Sequence, residues 1–422
     1  MRDHPSIERR GAIEALRAGV PNRAAIRLLG ERDGALVNSF LESLGRCTQG
    51  LDQGRQAEGN LVWGSFGAGK SHLLGYMREL ALERNFVVSL VPVSKETPMF
   101  DPARLFAAAI RSAEVPGAND EVITVALSRL KPETEPYDRL ERWATDEARA
   151  GSLSAAFAAL LWLIPRLAAE DYARDRARIP RFFGGGRLNA TVVKSWLREQ
   201  GAAKLFDIKP TRETELARQR LRFAPRLMSS VGFAGWCVLL DEVELIGRYS
   251  SLQRGRSYAE LARWLGWDDL DGLPGITTVA AFTDDFVDQM FDNRRDEELT
   301  PQALEQKGLT RQSVSARRCM EELRRMRGVR LAPPDEPALS TAQSRIADLY
   351  YDAYRWRPTV LAIGERRARK SMRQYIKSWI TEWDIERLYG ERTTIEAQTI
   401  QTDYSESTEL EQAAPAADAD EE

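Results

Sequence analysis

Residues 60–80 read NLVWGSFGAGKSHLLGYMREL, and the fold of this chain can be predicted from them. Residues 60–63 have the pattern of a short buried strand, and the residues after 72 have apolar side chains at helical spacing. Between them lies the pattern G-x-x-x-x-G-K-[ST], from Gly64 to Ser71. A strand before this pattern and a helix after it are the context of a phosphate-binding loop, the Walker A motif or P-loop. We therefore predict an α/β fold of the P-loop NTPase type, with a parallel sheet flanked by helices.

Each residue of the loop has a physical task in this prediction. The glycines let successive backbone N–H groups point toward phosphate oxygens at a helix N-terminus, whose dipole also favours anions. We expect Lys70 to reach the β and γ phosphates of ATP and the Ser71 hydroxyl to be a ligand of Mg²⁺. The predicted nucleotide-binding residues are Gly64, Ser65, Phe66, Gly67, Ala68, Gly69, Lys70, Ser71 and His72.

A second strand pattern supplies the acids that such a site needs. Residues 235–242 read GWCVLLDE, so an apolar run leads directly into Asp241 and Glu242. This is typical of a parallel strand that is buried on both faces and delivers its carboxyl end to the site. We predict that Asp241, the Walker B aspartate, holds Mg²⁺, and that Glu242 is the catalytic base that polarises the attacking water.

Two further strands are predicted for the same sheet, at residues 86–93 and 276–282. The second is followed by Thr283, at a strand end where AAA-type ATPases keep a residue that senses the γ-phosphate. We predict Thr283 as this catalytic sensor. A threonine that caps a helix near Phe286 is an equally good interpretation.

Composition disfavours several other chemistries. The chain of 422 residues has two histidines and three cysteines: His4, His72, Cys47, Cys237 and Cys319. No two of these lie close in sequence, which disfavours a zinc or haem site built on them and a Ser/His/Asp nucleophile. The longest apolar run, residues 155–164, is too short to span a bilayer, and we predict a cytoplasmic protein without membrane contact.

The net charge of −3 conceals an asymmetry. Residues 401–422 carry eight acids and no basic residue, so residues 1–400 carry +5. A tail with so few apolar residues is predicted to be disordered. The basic residues are 51 arginines and nine lysines. Arginine suits phosphate contacts, but genomic base composition is the better explanation of the bias.

The spacing of the motifs predicts an insertion. Ser71 and Asp241 are 170 residues apart, whereas two strand–helix units need about 60. The predicted domains are an N-terminal helical segment at 1–58, an ATPase core at 59–117 and 213–335, a helical insertion at 118–212, a helical lid at 336–396 and a disordered acidic tail at 397–422.

The insertion and the lid each contain an arginine-rich stretch. Residues 174–187 combine arginines with Phe182, Phe183 and a glycine run. This pattern predicts a nucleic-acid contact or a partner-docking loop, and a hinge whose phenylalanines lie in the core is at least as good an interpretation. In the lid, a helix predicted from about residue 366 would place Arg369 and Arg373 on one face. We predict Arg369 as a catalytic arginine that contacts the γ-phosphate, against the alternative of a solvated basic face.

A further group of arginines, at residues 317–327, precedes a last strand predicted at 328–332. It fits an arginine finger offered to a neighbouring subunit in an ATP-dependent homo-oligomer. Glu321 and Glu322 lie among these arginines, and ion pairs along an exposed helix are the favoured interpretation.

Several blocks of the sequence resemble the BrxD-like P-loop ATPases of bacterial BREX phage-defence loci. The blocks are GVPNR at 19–23, LGER at 29–32, GSFGAGKS at 64–71, SKETPMFDPARLF at 94–106, FFGGGRL at 182–188 and RQRLRFAPRLMSSVGFAGWCVLLDEVELIGRY at 218–249. More distantly, the chain resembles the origin-recognition and STAND branches of AAA-type ATPases.

The resemblance implies ATP binding and hydrolysis with Mg²⁺ in an anti-phage system, alongside a helicase, a methyltransferase and a phosphatase-like protein. It also implies that Val20, Pro21, Asn22 and Arg23 lie near the adenine. Origin-recognition ATPases carry a C-terminal winged helix, and this chain has only the acidic tail after Leu388. Any contact with double-stranded DNA is therefore expected on another surface.

Two functions stay open. One is an ATPase that remodels DNA or that loads or regulates a partner helicase, for which the set of Lys70, Ser71, Asp241 and Glu242 is the evidence. The other is a slow nucleotide-gated switch or scaffold of the STAND kind, which signals by lid closure without direct work on DNA.

Overall fold

The structure is a computed structural model. It describes residues 4–18, 26, 34–118, 120–167, 177–268, 271–325, 330–331, 334–360 and 371–392. These residues form a mixed α/β fold in which helices flank a mostly parallel sheet, an architecture compatible with the predicted P-loop NTPase.

The sheet within the described residues has the strand order β1–β5–β4–β2–β3. Its strands are β1 Asn60–Trp63, β2 Val87–Pro92, β3 Ala113–Glu114, β4 Trp236–Asp241 and β5 Ile276–Phe282. The pairs β1–β5, β5–β4 and β4–β2 are parallel, and only the short β3 runs antiparallel, beside β2. The strands predicted at 60–63, 86–93, 235–242 and 276–282 are confirmed within one or two residues. Since the parallel strands share a direction, the carboxyl ends of β1, β5 and β4 meet at one edge.

Helices account for most of the remaining described residues. They are α1 His4–Ala18, α2 Gly34–Gln53, α3 Lys70–Glu83, α4 Pro102–Arg111, α5 Val122–Arg129, α6 Glu135–Arg149, α7 Ala155–Leu163, α8 Arg178–Phe183, α9 Ala190–Glu199, α10 Glu213–Ser230, α11 Ser251–Trp264, α12 Asp296–Gln306, α13 Thr310–Arg325, α14 Glu336–Tyr354 and α15 Met372–Tyr389. A 3₁₀ helix, Val243–Arg248, follows β4, and a π-helix, Asp288–Asn293, follows β5. None of these helices combines the length and apolar character needed to cross a membrane.

The sheet is buried on both faces, which explains its unbroken apolar runs. Along β4, Val238 and Leu240 point into a large core shared with the insertion and with α10 and α11. Cys237 and Leu239 point to the opposite face, where α2 and α3 pack. This alternation of side chains, with both faces apolar, is what a strand in the middle of a three-layer fold requires.

A separate apolar cluster holds α1 against α14 and α15. It includes Ile13 of α1, Ile346 of α14 and Trp379 of α15, all buried. An ion pair between Arg17 and Asp384 lies at the edge of the cluster. The two N-terminal helices thus pack on different parts of the molecule, with α1 on the helices predicted as the lid and α2 on the sheet.

The phenylalanines of the insertion lie in the core. Phe182 and Phe183 are 3% and 1% exposed, and the ring of Phe183 stacks on that of Phe223 with centroids 4.6 Å apart. The rings are therefore buried, as the interpretation with phenylalanines in the core predicts, and residues 174–176 lie outside the described residues. The burial of the rings does not test a nucleic-acid contact through the exposed arginines.

Candidate functional site

The loop between β1 and α3 has the backbone that its glycines predict. Gly67 and Gly69 have φ values of 79° and 107°, in the left-handed region that residues with a Cβ rarely adopt. The N–H of Gly64 donates to the Phe282 carbonyl at the end of β5, at 3.2 Å. A Cβ added at Gly64 would lie 3.1 Å from the Cβ of Ala68. The loop is thus curled tightly and tied to the neighbouring strand.

Lys70 begins α3 and turns its ammonium group back into the loop. Its Nζ donates to the carbonyl of Gly64 at 2.9 Å and to that of Ser65 at 3.4 Å, and the residue is 9% exposed. The N-cap of α3 is Gly69, which has no side chain to accept from the first-turn N–H groups. A helix N-terminus without a side-chain cap, next to a buried lysine, fits the phosphates of ATP.

The acid pair lies at the carboxyl end of β4. Glu242 has φ 57° and ψ 33°, a left-handed conformation that is uncommon outside glycine and is often found at functional sites. Its N–H donates to Oδ1 of Asp241 at 3.0 Å. The chain therefore turns sharply between the two carboxylates instead of extending the strand.

Charges from three parts of the chain act on Glu242. Burial raises its pKa above the usual value, and the neighbouring charge of Asp241 raises it further. Arg373 from α15 and Lys70 from the loop lower it. The structure thus brings the loop, the acid pair and α15 to one place.

Glu244, which the sequence analysis did not single out, belongs to the same group of charges. It is 7% exposed, and its Oε2 has no hydrogen-bond partner among the described residues. Burial raises its pKa to about 7, with Lys70 opposing this and Asp241 and Glu242 adding to it. The only sequence signal was a third acid in the run DEVE, and such a residue is usually exposed.

The end of β5 lies between the loop strand and the acid strand. Thr283 is 2% exposed there, and its carbonyl accepts from the N–H of Phe286 at 3.2 Å, a position that suits both interpretations of this threonine. The next residue, Asp284, faces the loop. Burial raises its pKa, while Arg330, Lys70 and the N–H of Ser65 lower it.

The helix α15 begins directly on the loop. Ser371 is its N-cap, in a capping box with Gln374, and a Cβ added at Gly67 would lie 2.6 Å from the Oγ of Ser371. The guanidinium carbon of Arg373 lies 5.5 Å from the ring centre of Phe66. The helix prediction was wrong at this end, because the capping box starts the helix at Met372.

Some predicted site residues lie outside the described residues. These are Arg369 and the segment Val20, Pro21, Asn22 and Arg23. Close to that segment, Ile26 is described and is 2% exposed. A Cβ added at Gly75 of α3 would lie 2.4 Å from the Cδ1 of Ile26, so Ile26 packs on the helix that follows the loop.

The arginines of α13 pair with acids of the same chain. Arg317 pairs with Glu305, Arg318 and Arg325 with Glu322, and Arg324 with Glu297 and Asp292. The hydrogen bonds to Glu297 and Asp292 raise the pKa of Arg324. These pairs agree with the favoured interpretation of an ion-paired helix. Arg327 and most of the strand predicted at 328–332 lie outside the described residues, although Arg330 forms a parallel bridge with Trp63.

The donors near the loop fit a magnesium ion. Ser71 and Asp241 offer only oxygen atoms, and Mg²⁺ is commonly bound by one or two carboxylates together with substrate phosphates. No group of three or more His, Cys, Asp or Glu side chains in the described part of the chain could hold a metal by itself.

A family model described as "BREX system ATP-binding protein BrxC/D" matches residues 5–120 and 196–385. The matched segments contain the loop, the acid pair and most of α15, and they leave out residues 121–195. No curated protein and no solved structure matches the chain.

Proposed function

The chain belongs to the family of BREX system ATP-binding proteins BrxC/D, and from this premise we propose that it binds and hydrolyses ATP at the loop of residues 64–71. The observation that carries the proposal is the set of charges around Glu242. Asp241 from its own strand, Lys70 from the loop and Arg373 from α15 all act on this carboxylate. A partly buried carboxylate beside a phosphate-binding loop suits a base for an attacking water.

In this proposal the loop residues 64–69, with Lys70, Ser71 and His72, bind the nucleotide. The N–H groups of the loop and of the first turn of α3 donate to phosphate oxygens, and Lys70 exchanges the carbonyls of Gly64 and Ser65 for a phosphate. Ser71 and Asp241 hold Mg²⁺, which neutralises charge on the phosphate oxygens. The segment from Val20 to Arg23 contacts the adenine.

Three further residues complete the proposed machinery. Glu242 accepts the proton of the attacking water, and Thr283 orients that water from the end of β5. Arg369 keeps the predicted contact with the γ-phosphate. Arg373 is an additional candidate for that contact, because its guanidinium already lies beside the loop and acts on Glu242.

At the level of the fold, we propose an AAA-type ATPase with the domains predicted from the sequence. The position of β5 between β1 and β4 supports this, because it puts Thr283 between the loop and the acid pair. The gap in the family match at 121–195 supports a helical insertion at 118–212. The packing of α14 against α15, and of the start of α15 against the loop, supports a lid at 336–396.

For the cellular role, we propose that ATP hydrolysis remodels DNA or loads or regulates a partner helicase of the defence system. Lys70, Ser71, Asp241 and Glu242 are all present, which favours turnover over passive binding. The other components of the system, such as a helicase, a methyltransferase and a phosphatase-like protein, are the proposed partners. The protein acts in the cytoplasm, and an ATP-dependent homo-oligomer is part of the proposal.

The second candidate is a nucleotide-gated switch. The contact of Ser371 and Arg373 with Gly67 and Phe66 favours it, because a lid that touches the loop responds to what the loop holds. A comparison of wild type with Glu242→Gln separates the two functions. An ATPase loses phosphate release in the variant and keeps ATP binding, whereas the exposed control Glu391→Gln is unchanged. Wild-type protein that binds ATP and never hydrolyses it, with or without DNA, supports the switch.

A further inference from the structure

The positive charge of the chain is concentrated in residues 177–212, which we call the basic segment. It contains eight basic residues and two acids, a net charge of +6, which leaves −1 for the rest of residues 1–400. Three of the nine lysines of the chain lie within it. The basic residues are Arg178, Arg181, Arg187, Lys194, Arg198, Lys204, Lys209 and Arg212.

Every one of these eight side chains is exposed. Some exposed arginines elsewhere pair with an acid on the same helix, as Arg139 does with Glu135 on α6. The basic segment has only Glu199 and Asp207 for this purpose, and Asp207 is already engaged by Lys209 at 2.8 Å. Arg178 and Arg181 have further contacts within the chain. Exposed side chains such as Lys194, Arg198 and Arg212 present positive charge to the solvent.

Contacts inside the segment join its parts into one surface. The guanidinium of Arg178 on α8 lies 5.8 Å from the ring centre of Trp196 on α9. The hydrogen bond from Lys209 lowers the pKa of Asp207, and the charge of Lys194 adds to this, so α9 adjoins the chain after it. A Cβ added at Gly186 would lie 2.5 Å from the Cγ of Arg181, beside Arg187.

The aromatic residues of the basic segment are turned inward. Phe182, Phe183 and Trp196 are 3%, 1% and 3% exposed, and Phe206 is half-buried against the ring of Trp162. Proteins that hold single strands stack bases on exposed aromatic rings. A surface with many charges and no exposed ring suits the phosphates of a double helix, whose bases are already stacked.

The segment is fixed to the helix that leads to the acid pair. Arg220 of α10 is 1% exposed and donates to the carbonyls of Phe182 and Gly186, each at 2.8 Å. The chain continues from α10 into β4 and Asp241. A ligand on the basic segment would therefore be connected to the candidate ATP site through α10 and β4.

We propose that the basic segment binds the phosphate backbone of duplex DNA without regard to sequence. The inference deepens the proposed function, because it names the surface on which the ATPase would hold its DNA. Its charge and exposure do not depend on ATP hydrolysis, so the two proposals can fail separately.

The experiment measures binding of a fluorescent 30-base-pair duplex by anisotropy, from 50 to 200 mM salt and without ATP. Two charge reversals are made in the full chain, Lys194→Glu with Arg198→Glu and Arg187→Glu with Arg212→Glu. The matched control, Arg139→Glu with Arg149→Glu, changes the net charge equally at exposed positions of α6. Thermal unfolding shows whether each variant is folded.

Wild type and the control are expected to bind with a steep salt dependence. Each test variant is expected to bind about 10-fold or more weakly at 50 mM salt, and to lose about 1.8 from the slope of log K against log salt, since each phosphate contact contributes about 0.9. The proposal is overturned if the control variant loses as much DNA affinity as the test variants, or if both test variants bind DNA as wild type does. It is also overturned if the protein binds single strands, duplex RNA or polyglutamate more tightly than duplex DNA. DNA binding without ATP hydrolysis supports it and contradicts only the proposed function.

Discussion

Arg373 of α15 lies over the ring of Phe66 in the phosphate-binding loop, with its guanidinium carbon 5.5 Å from the ring centre. Phe66 is 43% exposed, so this contact is made at the surface and not in the core. Cation–π contacts at exposed sites contribute about 0.5–1 kcal/mol. An arginine held so weakly can exchange the ring for the γ-phosphate of a bound nucleotide, and this exchange would couple the position of α15 to the state of the loop.

The first prediction concerns turnover. We expect Arg373→Ala to lower kcat by about 100-fold, somewhat less than the roughly 10³–10⁵-fold of an arginine finger. The Kd for ATP should change little, because Lys70 and the loop amides remain. Phosphate-release assays and calorimetric ATP titrations measure the two quantities. Lys377→Ala, an exposed change on the same helix, is the control, and an equal loss of kcat there contradicts the assignment.

The second prediction is the pH dependence of the same variant. Burial and Asp241 raise the pKa of Glu242, and Arg373 lowers it, so the pKa rises further when Arg373 is removed. The acid limb of the kcat/KM profile, which reports ionisation of the base, should therefore move to higher pH. Phe66→Ala keeps the guanidinium and should leave the limb in place. Superimposable limbs for wild type and Arg373→Ala would exclude an action through Glu242.

The third prediction tests the contact between the loop and α15. Gly67→Ala introduces a residue at φ 79° and a Cβ that would lie 2.6 Å from the Oγ of Ser371. The left-handed conformation alone costs about 1–2 kcal/mol for a residue with a Cβ. If this free energy is lost from the ATP-binding conformation of the loop, the affinity for ATP falls roughly 10-fold. Ser371→Gly in the same chain removes the collision and keeps the backbone cost. Titration calorimetry should therefore show partial recovery in the double variant, and no recovery would mean that α15 does not restrict the loop in solution.

Features that depend on residues close together in sequence could be predicted from the sequence alone. The strands around the loop and the acid pair were predicted within one or two residues, because a buried parallel strand is a continuous apolar run and the loop has a fixed spacing. The start of α15 was predicted too early. Its position depends on the Ser371 capping box, and the arginines before Ser371 have a helical pattern that outweighed this local signal.

The remaining features depend on contacts between distant parts of the chain. Phe182 and Phe183 adjoin arginines in sequence, so the sequence left open whether they are exposed, and they are buried because Arg220 and Phe223 of α10 cover them. The packing of α1 on α14 and α15 has no local signal at all. Glu244 was missed for a similar reason, since only the fold shows that this acid is buried beside two others.

The fourth prediction concerns how Glu244 changes the free energy of unfolding with pH. Burial raises its pKa from 4.5 to about 7, so between these values the folded chain binds more protons than the unfolded chain. Stability must then fall as the pH rises from about 4.5 to 7, by about 3 kcal/mol at most. Glu244→Gln should lack this fall and should be more stable than wild type at pH 8. Urea unfolding at pH 5 and pH 8 measures it, with Glu391→Gln as control, and parallel changes in all three proteins would contradict a buried Glu244.

The last prediction concerns the buried ion pair that holds the chain after the acid pair. Arg254 and Asp296 are 3% and 0% exposed, and Nη1 of Arg254 donates to the carbonyl of Tyr249 at 2.6 Å. Asp296→Ala leaves the guanidinium buried without its carboxylate, which should cost about 3–5 kcal/mol of unfolding free energy.

Removing the charges of both Arg254 and Asp296 should lower the free energy of unfolding much less than removing only one of them. Arg254→Met with Asp296→Leu fills a similar volume with apolar atoms, and such replacements of buried pairs are often neutral. The lost hydrogen bond to Tyr249 releases the end of the 3₁₀ helix that follows Glu242. The double variant also leaves the buried Tyr258 hydroxyl without its acceptor, which costs about 1–3 kcal/mol. It should therefore unfold at a urea concentration between those of Asp296→Ala and wild type, and show a reduced kcat. A double variant as unstable as Asp296→Ala would mean that the pair stabilises the fold itself, and a wild-type kcat would mean that it does not position the acid pair.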